Sequence, residues 1–129
     1  MEFPVSLKYA KSHEWIEGSG KSVKIGVTAY AVDQLGDIVH VELPQPGETF
    51  EAGSSFGTIE STKTVSDLYM PVAGKIIEVN KAAVSTPESL QDDPYKNGWL
   101  LKVELTGKGD LSALMDSKAY EKFVSEQDH

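Results

Sequence analysis

The sequence predicts a single, mostly β domain with a few short helices. Its 129 residues are enough for one hydrophobic core. Short stretches of alternating apolar and polar side chains recur along the chain, and turns rich in Gly or Pro separate them. Apolar residues at helical spacing occur in only a few short segments. We therefore expect one domain over residues 1–129, with a C-terminal helical segment at about residues 110–125.

Composition narrows the classes of function. The chain has 0 Cys, which excludes disulfides, thiolate metal sites and a cysteine nucleophile. The formal net charge is -8 and every basic residue is a lysine, so the clustered positive charge that nucleic acids require is missing. No apolar run approaches the roughly 20 residues of a membrane-spanning helix. We expect no nucleic-acid or membrane partner, basic partner surfaces and a location in the bacterial cytoplasm.

The N-terminal part predicts strands followed by a helix. Residues 12–17 and 21–27 alternate on either side of a Gly-Ser-Gly breaker, which is typical of a β-hairpin. In residues 28–36, Thr28 can cap a first helical turn and Gly36 can adopt the conformation that ends a helix. This pattern predicts the first helix.

The β-branched segment 38–43 predicts a further strand. Val39, Val41 and Leu43 share its cleanly apolar face, so we expect these three side chains to point inward. His40 falls on the other face, and no second His or Cys lies at metal-ligand spacing. We therefore interpret His40 as a surface residue and expect no metal site.

Residues 55–70 form the stretch around which the chain is organised. Two segments rich in strand formers flank the polar turn 61–64, which predicts a hairpin with Lys63 at its protruding tip and the amine held away from the sheet. By pattern alone, a lysine at a hairpin tip is most often simply solvated. The turn does, however, lack the Asn-Gly or Asp-Gly pair of the tightest hairpins.

The C-terminal half predicts two strands and two helical segments. Residues 75–80 and 99–105 alternate as strands, and a Pro-initiated helix over 87–91 lies between them, with a turn at 97–98. Residues 110–115 predict a capped helical turn.

Asp116 and the following serine then cap a terminal helix. Tyr120, Phe123 and Val124 lie at i, i+3 and i+4 of that helix and form one apolar stripe. We expect the stripe to pack on the sheet.

Several motifs occur together in one order. They are Ser12-His13-Glu14-Trp15, residues 35–44, Glu60-Ser61-Thr62-Lys63 with Ser66-Asp67-Leu68, residues 74–80, and Asp93-Pro94-Tyr95 leading to Gly98-Trp99-Leu100. In this order and spacing, from about residue 9 to residue 123, the chain resembles the H-protein family of the glycine cleavage system.

The resemblance implies a lipoyl-domain-like barrel/sandwich hybrid with a C-terminal helix. It also implies that lipoate is attached covalently, as an amide, to Lys63, and that the chain has no catalytic residue of its own. We expect the attaching enzyme to recognise the hairpin at Glu60, Ser61, Thr62 and Thr64. Two of these depart from the family pattern, because threonines flank the lysine where many relatives carry valine and alanine.

The resemblance further implies a shuttle, which we expect to be a monomer because its arm must be exposed in turn to several partners. These are four enzymes. A pyridoxal-phosphate glycine decarboxylase loads an aminomethyl group onto the arm, and an aminomethyltransferase removes it. Dihydrolipoamide dehydrogenase then reoxidises the arm, and the lipoate-attaching enzyme installs it in the first place.

A loaded arm ends in a protonated amine and is labile if water reaches it. We therefore expect the arm to rest in a cleft with an anionic partner. Glu14 and Asp67 are the candidates, with Ser12 as a neutral hydrogen-bonding group, because carboxylate–ammonium bonds are strong. The alternative is that both carboxylates are merely solvated.

Three other functions are compatible with part of the pattern. A lipoyl domain of a 2-oxo acid dehydrogenase usually carries Asp-Lys-Ala and a biotinyl domain Met-Lys-Met, whereas this chain has Thr62-Lys63-Thr64. An H-like protein that only relays lipoate to other proteins has no distinguishing sequence. A hydrolase or metalloenzyme is disfavoured because the chain lacks paired histidines and a nucleophile-elbow glycine pattern.

Overall fold

The computed structural model describes residues 3–18, 21–95, 98–105 and 114–127. Within these residues the elements are β1 (Lys8–Tyr9), β2 (Glu14–Glu17), β3 (Ser22–Val27), α1 (Ala29–Leu35), β4 (Ile38–Glu42), β5 (Thr49–Phe50), β6 (Ser55–Ser61), β7 (Val65–Tyr69), β8 (Gly74–Val79), α2 (Lys81–Ser85), α3 (Ser89–Asp92), β9 (Leu101–Leu105) and α4 (Ser117–Gln127).

The strands form two antiparallel sheets that share one core. The larger sheet has the order β1-β2-β3-β9-β8-β5, and the smaller has the order β4-β6-β7. Ile25 and Val103 of the larger sheet and Ile59 and Leu68 of the smaller sheet all belong to the same buried cluster. The predicted mostly β fold with short helices and a C-terminal helix is confirmed.

A second core cluster holds the C-terminal helix against the larger sheet. Tyr120 is fully buried beside Tyr9, and Val124 and Phe123 complete the predicted stripe. The Asp116 carboxylate accepts a hydrogen bond from the Ala119 amide at 2.8 Å, so the predicted cap is present.

The bounds of the C-terminal helical segment differ from the prediction of 110–125. Helix α4 begins at Ser117 and ends at Gln127, and residues 110–113 lie outside the described residues. Met115 is not helical, because it exchanges two backbone hydrogen bonds of 2.8 Å with Tyr9 and so extends the sheet.

The first hairpin and the first helix are confirmed. Strands β2 and β3 pair from Glu14↔Val27 to Glu17↔Lys24. The Thr28 hydroxyl accepts a hydrogen bond from the Ala31 amide at the start of α1.

The prediction for the β4 face was wrong at Val39. Strand β4 pairs with β6 through Ile38↔Ser61 and His40↔Glu60, so one extra residue bulges between these pairs. The bulge breaks the alternation: Ile38 and Val41 are both buried, whereas Val39 is 50% exposed. His40 lies on the surface, as expected.

Two short helices replace the single one predicted between β8 and β9. The Asn80 side chain caps the unpredicted α2 by accepting from the Ala82 amide at 3.2 Å, and Ala83 anchors that helix in the core. Helix α3 begins at Ser89, two residues later than expected. Of the predicted turn at 97–98, the first residue lies outside the described part of the chain. None of the helices in that part has the length and apolar composition needed to span a bilayer.

Candidate functional site

Lys63 lies at the exposed tip of the β6–β7 hairpin. Ser61 holds the turn together: its amide donates to the Thr64 carbonyl at 2.8 Å, and its hydroxyl accepts from the amides of Lys63 and Thr64 at 3.2 and 3.1 Å. Because Ser61 is buried at 4% exposure, these bonds are shielded from water. These hydrogen bonds fix the backbone of the turn from which the Lys63 side chain projects.

The tip also contacts the C-terminal end of α1. The Thr62 amide donates to the Asp37 carbonyl at 3.0 Å. Gly36 has a φ of +82°, and a Cβ placed on it would lie 3.2 Å from Cε and 3.6 Å from Nζ of Lys63. The lysine thus leaves the small sheet and leans across the end of α1.

A cleft of about 350 Å³ lies beside this hairpin. Its walls come from the segment before β2, from α1 and from β6 and β7; the lining residues are Ser12, His13, Glu14, Val27, Tyr30, Ala31, Gln34, Leu35, Ile59, Thr64, Val65, Ser66, Asp67 and Leu68. The structure therefore brings together Ser12, Glu14 and Asp67, which the sequence analysis proposed as one group.

Glu14 is the buried carboxylate of this cleft, at 1% exposure. The Ser12 hydroxyl donates to Oε1 of Glu14, and the Tyr69 amide donates to Oε2 at 3.3 Å. Burial raises the pKa of Glu14 from the ordinary 4.5 to about 7, although both hydrogen bonds act to lower it. At neutral pH this carboxyl is consequently close to the midpoint of its titration.

Asp67 and Ser12 differ from Glu14 in being exposed. The Asp67 carboxylate has one weak contact, with the Tyr69 hydroxyl at 3.5 Å. An exposed carboxylate contributes little binding energy alone, so Glu14 is the stronger candidate partner for a cationic group. The alternative of a merely solvated carboxylate describes Asp67 but not Glu14.

The residues that we expect an attaching enzyme to recognise differ in their exposure. Glu60, Thr62 and Thr64 are exposed around the lysine, whereas the Ser61 side chain points into the turn. No cluster of three or more His, Cys, Asp or Glu able to hold a metal occurs among the described residues.

A link between this cleft and α4, which the sequence did not predict, runs through Tyr120. The Tyr120 hydroxyl lies 2.7 Å from Nδ1 of His13 and 2.7 Å from Oγ1 of Thr28. Tyr120 was recognised only as a member of an apolar stripe. Because 107 residues separate it from His13, no local pattern in the sequence could have joined them.

Other clefts on the described surface are larger, at about 490, 500 and 460 Å³. The first is lined in part by Gly36 and Asp37, which the hairpin tip contacts. The carboxylates that line these clefts are all exposed: Asp33 and Asp37 in the first, Glu42 and Glu78 in the second, and Glu121 in the third. The cleft that contains Glu14 therefore has the more distinctive chemistry, although it is smaller than these three.

Comparisons with known proteins point to one family. The model of the family described as "Glycine cleavage H-protein" matches residues 7–127. The glycine cleavage system H protein of Anaeromyxobacter sp. (strain K) is 47% identical over 99% of this chain and 100% of its own length. That of Synechococcus elongatus is 53% identical, with 97% of each chain covered. The crystal structure of a glycine cleavage system H protein from Mycobacterium marinum superposes with a TM-score of 0.85 at 41% identity, covering 98% of this chain and 100% of the other.

Proposed function

This chain belongs to the glycine cleavage H-protein family, and on that premise we propose that Lys63 carries a lipoyl arm that shuttles an aminomethyl group. The observation that carries the proposal is the placement of an exposed lysine on a firm hairpin tip, next to a cleft that contains a buried carboxylate. The family match over residues 7–127 favours this function over that of a lipoyl domain of a 2-oxo acid dehydrogenase or a biotinyl domain.

The site fits a lipoyl group joined to the lysine. The Lys63 side chain is exposed, so its amine is accessible for amide formation. The adjacent cleft is lined both by apolar side chains, among them Val27, Leu35 and Leu68, and by the carboxylates of Glu14 and Asp67, which suits an arm with an apolar stem and a charged head. When bound, lipoate supplies the dithiolane that accepts the one-carbon group and is left as a dithiol.

The residues of the chain orient and protect the arm rather than react with it. Lys63 presents the arm from the tip. Glu14, in its ionised form, accepts a charge-assisted hydrogen bond from the ammonium of the loaded arm. Ser12 keeps the Glu14 carboxylate in place, and Asp67 adds negative charge at the exposed side of the cleft. The cleft limits the access of water.

The partners follow from this carrier role. We infer successive visits to the glycine decarboxylase, the aminomethyltransferase and dihydrolipoamide dehydrogenase, after modification by a lipoate-attaching enzyme that reads Glu60, Ser61, Thr62 and Thr64 around the lysine. A monomer suits this role, because each partner must reach the same tip. The chain itself is a non-catalytic carrier in the bacterial cytoplasm.

A reconstituted glycine cleavage assay with the three partner enzymes tests this function. Lipoylated wild-type protein is expected to sustain turnover, and Lys63→Arg, which keeps the charge but does not form the amide, is expected to abolish it. No turnover with fully lipoylated wild type, together with transfer of its lipoate to other proteins, would instead support the relay function.

The resting place of the loaded arm has its own test. The double variant Glu14→Ala, Asp67→Ala is expected to shorten the lifetime of the loaded protein in the absence of partners. An unchanged lifetime would end the proposed role of the cleft and leave the carrier function standing.

A further inference from the structure

The hydroxyl of Tyr120 joins the two walls of the cleft beside the hairpin. One wall is the segment that carries Glu14, which the hydroxyl reaches through His13 at 2.7 Å. The other wall is α1, which it reaches through Thr28 at 2.7 Å. Helix α4 contributes no lining residue to the cleft among those described, so Tyr120 acts on the cleft through the residues it contacts: through its hydroxyl on His13 and Thr28, and through its ring, which lies 5.8 Å from that of His13.

On the first wall, His13 adopts a demanding backbone conformation. Its φ is +74°, the one positive φ of a non-glycine residue in the described part of the chain. The His13 amide donates to the Ala10 carbonyl at 3.0 Å, and its carbonyl accepts from the Thr28 amide at 3.0 Å. The hydrogen bond between the His13 imidazole and the Tyr120 hydroxyl fixes the His13 side chain, and with it the turn that connects Ser12 to Glu14.

On the second wall, Thr28 is the cap of α1. Its Oγ1 accepts from the Ala31 amide at 3.3 Å, and α1 then supplies Tyr30, Ala31 and Leu35 to the cleft. The Tyr120 hydroxyl can donate to one of His13 and Thr28 while accepting from the other, so one hydroxyl satisfies both contacts.

Tyr120 is well suited to hold a fixed position. Its ring is fully buried and stacks on that of Tyr9 at a centroid distance of 4.7 Å and an interplanar angle of 10°. Burial raises the pKa of Tyr120 above its usual range, so the hydroxyl keeps its proton at physiological pH.

We propose that Tyr120 is a positioning residue that sets the separation of the two cleft walls and thereby limits the access of water to Glu14 and to the loaded arm. This inference rests on the proposed function, since it assigns the C-terminal helix a part in protecting the same arm.

The test compares Tyr120→Phe with Tyr9→Phe. Tyr120→Phe keeps the ring and removes the bridge. Tyr9→Phe is the matched control, because it removes a hydroxyl of the same aromatic cluster that donates instead to the Pro4 carbonyl at 2.6 Å. The first is expected to shorten the lifetime of the loaded protein, followed as release of formaldehyde and ammonium, by about three- to tenfold, the effect of one hydrogen bond. The control is expected to leave the lifetime unchanged.

A second readout uses the chain without lipoate. In Tyr120→Phe, carboxyl NMR is expected to show a downward shift in the pKa of Glu14, because more water reaches a carboxyl whose pKa burial had raised. Tyr9→Phe is expected to leave it in place. A structural role confined to the core would lower the melting temperature of both variants without moving this pKa.

A third variant covers the case in which Tyr120→Phe does not fold. Asn tolerates a positive φ, so His13→Asn keeps the turn but shortens the side chain that reaches Tyr120. This variant is also expected to shorten the lifetime of the loaded protein and to lower the pKa of Glu14. In a Glu14→Gln background, Tyr120→Phe is expected to add little to the loss of lifetime.

The inference is overturned if neither Tyr120→Phe nor His13→Asn changes the lifetime of the loaded protein and the pKa of Glu14, or if Tyr9→Phe changes them equally. If Glu14→Gln itself leaves the lifetime unchanged, the protective cleft fails and this inference fails with it.

Discussion

The side chain of Lys63 lies across Gly36, the residue that ends α1. A Cβ at position 36 would lie 3.2 Å from Cε of Lys63, closer than most such contacts, and the backbone there has a φ of +82°. The glycine that ends the helix thus also makes room for the lysine at the hairpin tip. The hairpin and α1 meet at this point and at the bond between Thr62 and the Asp37 carbonyl.

Gly36→Ala is expected to slow lipoylation as well as to destabilise the fold. The positive φ costs an alanine about 1–3 kcal/mol. The new methyl displaces the lysine side chain, and a misplaced amine is expected to lower the rate of attachment about tenfold. Gly53→Ala is the matched control, since Gly53 has a φ of +87° with nothing within 4 Å of its added Cβ. It is expected to lose stability without a change in the attachment rate; equal rates for the two variants would contradict a role for the contact.

Glu14→Gln is expected to stabilise the chain at neutral and alkaline pH. The pKa of Glu14 is about 7 in the folded chain and ordinarily 4.5, so its stabilising contribution is complete below about pH 4.5 and is lost as the pH rises through 7. The full loss is about 3 kcal/mol, and the glutamine variant does not lose this stability because its side chain does not ionise. His13, Tyr30 and Asp67 are the other titratable groups that line the cleft, and they are present in both proteins.

Urea denaturation of wild type and Glu14→Gln between pH 4 and pH 8 measures this difference. The gain of the variant should be near zero at pH 4 and should level off above pH 7. A gain that is constant across this range would show that Glu14 is not buried with a raised pKa.

Ser12→Ala is expected to raise the pKa of Glu14 further. The Ser12 hydroxyl donates to the carboxylate and so favours its ionised form; without this donor the neutral form gains. Carboxyl NMR of the chain labelled at glutamate measures the shift. Ser66→Ala is the control, because Ser66 lines the same cleft and has no part in this hydrogen bond. A downward shift in Ser12→Ala would mean that the hydroxyl is not a donor to Glu14.

Because of the bulge in β4, replacing valine by alanine is expected to lower the stability of the chain at Val41 but not at Val39. Val41 is fully buried, so Val41→Ala is expected to lower the free energy of unfolding by about 2 kcal/mol. Val39 is 50% exposed, and Val39→Ala is expected to remain within about 0.5 kcal/mol of wild type. Chemical denaturation measures the free energy of unfolding of both variants. A large loss of stability in Val39→Ala would contradict the bulge and support the regular alternation predicted from the sequence.

The hairpin, the first helix and the terminal stripe could be predicted because local chemistry determines each of them. Alternation specifies β6 and β7, and the cap at Thr28 with the glycine at 36 delimits α1. The exposure of Val39 could not be predicted in this way, since a bulge depends on the pairing between strands. Helix α2 was missed because it has only five residues, of which Ala83 alone is buried, so it shows no apolar face at helical spacing.

The candidate site was predicted in part. Motifs near residues 12–14 and 67 placed Ser12, Glu14 and Asp67 in one group, and the structure lines one cleft with all three. Their unequal burial could not be predicted, because it depends on how α1 and the small sheet close over the segment before β2. The contact between Tyr120 and His13 joins the two ends of the chain and exists only in the folded molecule.

Intact mass followed by peptide mapping tests the central claim most directly. Protein expressed with lipoate available, in cells that lipoylate other proteins, should gain one lipoyl increment. The increment should map to the peptide that contains Lys63 and be absent from Lys63→Arg. An unmodified Lys63 under these conditions, or an increment on another lysine, would contradict the account.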